Sequence, residues 1–590
     1  MSDSKSRRHL SAALLVVLFL SSSAFAQSPI DPGKLPAHTS FYLCWHGSPS
    51  GDTRKSNSLY ALWDDPDFAP ARAALFTNFV SSNHSNNTQD KPRVSPEELQ
   101  QYVTLLDNSF LVGYIRQPES HVAAKAAGTS TSGSASKTPA PAAWNGMFLI
   151  YDRSGKEALL SKAVLQMRST EKDIPKLTEL TVAGVPSLKV ERKSGITYWA
   201  EFGKYAVSAN ELPVFEEILN VVNGKPAAAV LAESASYQEA RPLLTGGILE
   251  FFLPIPRPDE LNVDSSNATV NQLKPLISAL KLECIHSIAG RLSLEGPKSH
   301  VIGAILGDTA PGTLFDVWSD GQANPVSTGY LPPDTVQYGE TEFNLLGIYN
   351  TLKHAFGSMN NGQASTTNAL EQMAQTRLGM PLPDALNVVT GEIAWIQTSP
   401  TLDDSQKVYL FGLRNKPDAL KLTRTIMGDQ ITSERNEGNT TFLKISTHGG
   451  QSSAGLAQWH FYYLAMNPKL LFGASKSETL RKYATQTPAD PDATQLKGLL
   501  AARALLPQKL NGFSYFDFQK VDWPGLQAKW VADANKAVQT AKSTEESNSS
   551  KKMADWLTQA NPEVFSRHLH TMSGGSWKDA KGVHFDHWLD

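Results

Sequence analysis

Leu35-Pro36-Ala37-His38-Thr39 and Leu331-Pro332-Pro333-Asp334-Thr335 are one opening written twice in a chain of 590 residues. Each copy starts a segment that then turns helical. The segments downstream of the two openers match in the same order. The strand-like Ser109–Arg116 corresponds to Gly391–Gln397, and Phe148–Arg153 matches Tyr409–Arg414. Tyr198 to Ala209 matches Tyr463 to Ala474, with Lys204 on Lys469. Gly247–Phe252 matches Gly512–Asp517. His286, Gly290, Glu295 and His300 fall on His570, Gly574, Asp579 and His584. Each match is short, but their common order is the signature of an internal repeat. The matches run over 35–320 and 331–590, which divides the chain into a first copy, 27–330, and a second, 331–590.

Within a copy the periods alternate. Phe148 and Ile150 stand opposite Met147, Leu149 and Tyr151 in a run with little polar content, which predicts a strand covered on both sides. Trp459, Phe461 and Tyr463 alternate at strand spacing. Leu160, Ala163, Val164 and Met167 recur at helical spacing, as do Ala419, Leu422 and Ile426. Asp65-Pro66 predicts a helix start, since Asp caps free N–H groups and Pro suits the first helical position. The fold class is therefore α+β: two tandem pseudo-repeat copies, each with an antiparallel or mixed sheet packed by helices. Residues 119–143 are a low-complexity insertion in the first copy. Residues 81–92 and 359–369 read as Asn/Ser/Gly-rich loops. Residues 541–552 read as an exposed connection.

Upstream of the first copy, Lys5, Arg7 and Arg8 precede the apolar run Leu10–Leu20, and Ala24-Phe25-Ala26 offers a peptidase site. This is a secretory signal peptide over 1–26. Ser6-Arg7-Arg8-His9-Leu10 resembles a degenerate twin-arginine signal, but reads first as an ordinary basic n-region. Gln27 after the cleavage point indicates no lipid anchor, and no later run reaches membrane-spanning length. Cleavage removes Lys5, Arg7, Arg8 and Asp3, so the net charge moves from -3 to -5. With Lys+Arg at 54 and Asp+Glu at 57, nothing favours a nucleic-acid backbone. The hydrophobic share, 41%, is enough for a large core. Cys44 and Cys284 cannot form a disulfide framework or a thiolate zinc site. They form either one disulfide in an oxidising compartment or two separate buried thiols.

No nucleotide-binding glycine motif and no H-E-x-x-H is present, so no cofactor is expected. Gly450–Gly455 does not meet G-x-S-x-G, and Ser134-Ala-Ser-Lys137 lies in the low-complexity insertion. No catalytic or cofactor-binding residue is assigned. The metal candidates are His568, His570, His584 and His587, because His568 and His570 would share a strand face. Against them, His570 and His584 coincide with His286 and His300, where Cys284 and Ile302 stand in place of companion histidines. They then read as hairpin residues, and no metal is assigned. Asp64, Asp65 and Asp67 lack a calcium-loop pattern and read as capping groups. Asp403-Asp404 reads as a turn, and Glu216-Glu217 as a solvated helix face. The aromatic runs Tyr198-Trp199, Phe251-Phe252, Trp459–Tyr463 and Phe513–Phe518 read as core rather than ligand pocket.

The signal, the L-P-x-x-T opener at Leu35 and Leu331, and the strand–helix–hairpin order resemble large bacterial secreted proteins of unknown function built from duplicated α+β halves. The resemblance covers nearly all of the mature chain. It implies a cell-envelope location and a non-enzymatic role, and brings no catalytic residues. The expectation is a secreted or periplasmic protein that binds a protein partner or an apolar small molecule. The alternative is an extracytoplasmic hydrolase, or a metal-binding protein whose site is assembled from both copies.

Overall fold

The computed structural model describes residues 30–49, 51–74, 101–116, 145–162, 176–192, 195–255, 281–322, 325–359, 365–446, 462–489, 494–541, 543–559 and 561–590. The signal peptide, the insertion with Ser134 to Lys137, the 81–92 loop, Gly450–Gly455, and Trp459 and Phe461 lie outside them. So do Ala163, Val164 and Met167.

Among the described residues, twenty strands form one sheet. The first ten are β1 (Thr39–Trp45), β2 (Phe110–Arg116), β3 (Asn145–Asp152), β4 (Lys176–Val182), β5 (Val185–Arg192), β6 (Gly195–Phe202), β7 (Tyr205–Ala209), β8 (Leu249–Pro254), β9 (Ile285–Glu295) and β10 (Lys298–Gly307). The second ten are β11 (Gln337–Glu342), β12 (Val389–Gln397), β13 (Lys407–Leu413), β14 (Ile431–Glu437), β15 (Thr440–Ile445), β16 (Tyr463–Met466), β17 (Leu470–Ala474), β18 (Gly512–Asp517), β19 (Thr571–Asp579) and β20 (Gly582–Leu589). The pairings give the order β4-β5-β6-β7-β3-β2-β1-β8-β9-β10-β20-β19-β18-β11-β12-β13-β17-β16-β15-β14. Every pairing among these strands is antiparallel, so the architecture is α+β with an antiparallel sheet. The sheet passes through its middle at β10–β20, where Ser299 faces Leu589 and Leu306 faces Gly582. Gly303 is required there, since a Cβ would collide with the Phe585 ring.

Strand alternation sorts the core. On one face Tyr42, Cys44, Leu111, Phe148 and Phe252 pack with α2 (Leu212–Val222) and α3 (Ala235–Leu244), which supply Val214, Phe215, Ile218, Leu219, Tyr237 and Ala240. Those α2 residues sit at helical spacing, and Pro213 stands in its first turn, where no N–H is needed. Beside β11 to β18, α4 (Ser477–Ala484) and α5 (Lys497–Ala504) bury Leu480, Tyr483, Leu499 and Ala502 against Tyr338, Phe472, Phe513 and Tyr515. The other face carries Trp45 and Leu292. They pack with α1 (Ser58–Asp64), α7 (Thr544–Gln559) and α8 (Glu563–His568), while α6 (Trp523–Thr540) adds Trp530. Trp556 on α7 donates its indole N–H to the Ala71 carbonyl at 3.0 Å. The late helices thus roof strands from the early part of the chain.

Several expectations change. Residues 544–552 are helical rather than an exposed connection. The polar segment continues into Ala554, Trp556 and Leu557, whose burial anchors the helix. Strand β3 is not covered on both sides along its length: Phe148 and Ile150 are buried, but Met147 is 55% exposed. Ile426 is exposed, although Ala419 on the same helix is buried. The aromatic residues Tyr198, Phe252, Phe513 and Tyr515 are core, as read from the sequence, whereas Tyr462 in the run Trp459–Tyr463 is exposed. Asp65 caps the helical turn at Pro66, its Oδ1 accepting from the Asp67 N–H at 2.8 Å, and Asp403 caps another from Asp404. Cys44 and Cys284 are both buried and no disulfide joins them, which selects two separate thiols.

Candidate functional site

The histidines singled out by sequence fall into separate environments. His568 does not share a strand with His570: it ends α8, and His570 precedes β19. The His568 Nε2 lies 2.6 Å from Asp65 Oδ2, and Arg567 donates to Asp65 at 2.8 Å and to Asp67 at 2.9 Å. Burial alone would raise the Asp65 pKa, but the His568 contact, the Asp67 N–H and Arg567 outweigh it and hold the carboxyl below its usual range. The acidic knot is therefore a clasp between α8 and the turn after α1. His570 is exposed. His587 is exposed and its ring lies over Gly574. His584 Nε2 lies 3.0 Å from Asp579, with its ring parallel to Trp577. These four are not brought together.

At the β10–β20 joint, His300 is gripped on both nitrogens. Nδ1 lies 2.7 Å from Glu295 Oε1 and Nε2 lies 2.9 Å from Asp586 Oδ1. Its ring stacks on Trp588 at 3.5 Å and 14°. Burial works against the charged imidazole, yet the two carboxylates win and raise its pKa. With both nitrogens committed to carboxylates, the ring lacks a lone pair for a nucleophile's proton. It acts as a charged rivet between a strand from the middle of the chain and one from its last residues.

A buried carboxyl sits on β11, the fourth strand from the joint in the second ten. Tyr338 donates to Glu340 and lies 2.9 Å from Ser327 Oγ, while Glu392 accepts from the N–H groups of Val326 and Ser327. Burial is the main cause that pushes the Glu340 pKa up to about 7; Tyr338 pulls it down and Glu392 pushes it further up. The residue is buried, so its carboxyl meets core rather than solvent.

The group that sequence reasoning missed is Cys44, His46 and Glu250. Their ligand atoms all lie within 4.8 Å of one another, the one such trio of metal-ligating side chains found among the described residues. Cys44 and His46 are two apart along the extended chain, hence on one face, and Glu250 on β8 faces Cys44 directly. The Cys44-x-His46 spacing was a usable signal; Glu250 could be added only by knowing that β8 pairs with β1.

Clefts formed by the described residues include a pair lined by polar groups. One, of about 420 Å³, is lined by Asp522, Trp523, Glu563, Ser566 and Arg567 among others. The second, of about 240 Å³, includes Asp320, Glu342, Asn344, Arg414 and Lys578. Both are bordered by charged groups. Among the described residues no helix is long and apolar enough to cross a membrane.

No family model and no curated protein matches the chain. Two solved structures are similar to part of it, crystal forms I and IV of TP0453. They show 8% and 10% identity, cover 48% and 47% of this chain and 80% and 81% of theirs, and give TM-scores of 0.21 and 0.22.

Proposed function

We propose that the mature chain is a secreted or periplasmic, non-enzymatic protein made of two tandem α+β copies, residues 27–330 and 331–590, and that it binds a protein partner. The observation that carries this reading is the strand order. Adding ten to each strand number on one side of the β10–β20 joint reproduces the neighbours on the other. The pair α2 and α3 lies between β7 and β8, as α4 and α5 lie between β17 and β18.

Finer features support the same reading. Thr39 donates its hydroxyl to the Pro36 carbonyl at 2.8 Å, and Thr335 donates to Pro332 at 2.6 Å, so both L-P-x-x-T openers close the same turn. When His300 is matched to His584, Ile302 is matched to Asp586. These two residues face each other across the joint, as a two-fold axis requires. One match of the sequence shifts by two: Leu249 faces Leu292 and Gly512 faces Ser576, so Leu249 rather than Gly247 corresponds to Gly512. A shift of two keeps every side chain on its face.

Fusing two like bodies keeps their interface independent of concentration. It also presents two related surfaces at a fixed spacing, which suits a multivalent partner. The charged borders of both clefts favour a polar protein segment over an apolar small molecule. The signal peptide supports export. Two measurements test the reading. In an experimental structure, residues 39–307 are expected to superpose strand for strand on 337–589, and failure would overturn the duplication. Native mass spectrometry with cross-linking, on protein taken from its own envelope, should retain a partner at fixed stoichiometry. A partner-free monomer would overturn the binding role.

A further inference from the structure

We propose that Cys44, His46 and Glu250 form a mixed thiolate–imidazole–carboxylate site for a zinc-class divalent cation. This goes beyond the partner-binding reading and does not depend on it. The three donors come from the β1–β8 ladder and its immediate end, the fourth and third strands from the joint. His46 Nε2 lies 3.2 Å from Glu250 Oε1, and the Cys44 sulfur completes a set within 4.8 Å. Tetrahedral zinc with bonds of roughly 2.0–2.3 Å holds its ligands about 3.3–3.8 Å apart. Small side-chain torsions therefore close the set, with no change in the ladder.

Charge makes the same argument. Cys44 and Glu250 are buried, and a thiolate with a carboxylate carries two negative charges, which a dication cancels. Arg291, opposite Glu250 on β9, does not take that role, since it donates to the Pro242 and Leu243 carbonyls on α3 at 3.2 and 3.0 Å. Among the described residues the ion-pair partner of Glu250 is His46. The mixture of one soft sulfur, one imidazole and one oxygen suits zinc better than calcium or magnesium, which take oxygen shells. Three protein ligands leave a fourth position open, and the His46 side chain, 26% exposed, gives solvent a way in.

The test uses the full mature chain and the metal alone. Zinc is titrated against a chromophoric chelator, and cobalt is titrated with absorption spectroscopy. One equivalent of zinc, together with a thiolate-to-cobalt charge-transfer band, is expected. Cys44→Ser, His46→Ala and Glu250→Gln should each weaken binding by at least ~100-fold, more than the ~10–100-fold typical of groups that only orient ligands. The double variant His584→Ala/His587→Ala should leave binding unchanged. Circular dichroism checks the fold of each variant. Should Cys44→Ser fail to fold, the cobalt band of the unmodified chain and the partly exposed His46→Ala still decide. No stoichiometric zinc, no charge-transfer band, or binding indifferent to all three substitutions would overturn the site.

Discussion

The fourth strands on either side of the joint, β1 and β11, are framed alike and filled differently. Strand β1 lies between β2 and β8, and β11 lies between β12 and β18. Each carries a buried tyrosine, Tyr42 or Tyr338. Two residues further on, the first has Cys44 and the second has Glu340. Across the ladder from these stand Glu250 and Phe513. One arrangement gathers a thiol, an imidazole and a carboxylate with a route to solvent through His46. The other seals a carboxyl in the core, where burial keeps it protonated toward neutral pH. A shared frame thus fixes positions, and the side chains at those positions decide the chemistry.

The comparison can be broken most forcefully through packing. Phe252 is fully buried, with ring centroids 5.9 Å from Tyr42 and 5.3 Å from Tyr237. Phe252→Ala is expected to lose about 3–5 kcal/mol. Hydrogen exchange should speed up in β1, β2, β8 and β9 before β11, β12 and β18. Equal acceleration in both sets would mean that they do not behave as two bodies.

Next comes the sealed carboxyl. Its pKa is raised when folded, so the protonated form stabilises the fold fully below about pH 4.5, and that contribution is lost as pH rises through about 7. Glu340→Gln should remove this loss, worth on the order of 3 kcal/mol, so the variant outlasts the parent in urea at pH 8. Cys44→Ser should show no such pH-dependent gain. A Glu340→Gln chain with the parent's pH profile would assign the titration elsewhere.

The rivet at the joint is the third target. His300 has a raised pKa, so its contribution is present below its unfolded value near 6.5 and fades as pH climbs through the folded value. His300→Asn is expected to cost about 1.5–3 kcal/mol at pH 6 and clearly less at pH 9. His584→Asn, which removes a single carboxylate contact, should cost less at pH 6. Denaturant midpoints at both pH values check this, and equal losses would show that the second carboxylate of His300 adds nothing.

The smallest effects sharpen the likeness. Thr39→Val and Thr335→Val each remove one hydroxyl donated to a proline carbonyl, and each should cost about 1 kcal/mol. Their melting shifts should agree; a large difference would mean that the two openers do not play the same part.

Legibility in the sequence tracks the range of the interaction. The opener at Leu35 and Leu331 is legible because the turn it closes spans four residues. His300 and His584 are legible as hairpin residues for the same reason, whereas their contacts with Glu295 and Asp579 come from the structure. The α+β class is read from alternating periods within short windows. The contacts of His568 with Asp65, His300 with Asp586 and Cys44 with Glu250 join residues far apart in the chain, so no local pattern announces them. Residues 541–552 misled because composition there is polar, and the apolar anchors that make α7 a helix come later, at Ala554, Trp556 and Leu557.

The joint also has a temporal side. Strand β20, the twentieth in chain order, is laid eleventh across the sheet, beside β10. During synthesis nineteen strands emerge before the one that welds the two wings. Until then β10 and β19 each present an open ladder edge, the kind of edge on which chains stick to one another. A polypeptide built this way gains from holding its wings apart until the last strand arrives to cover both edges.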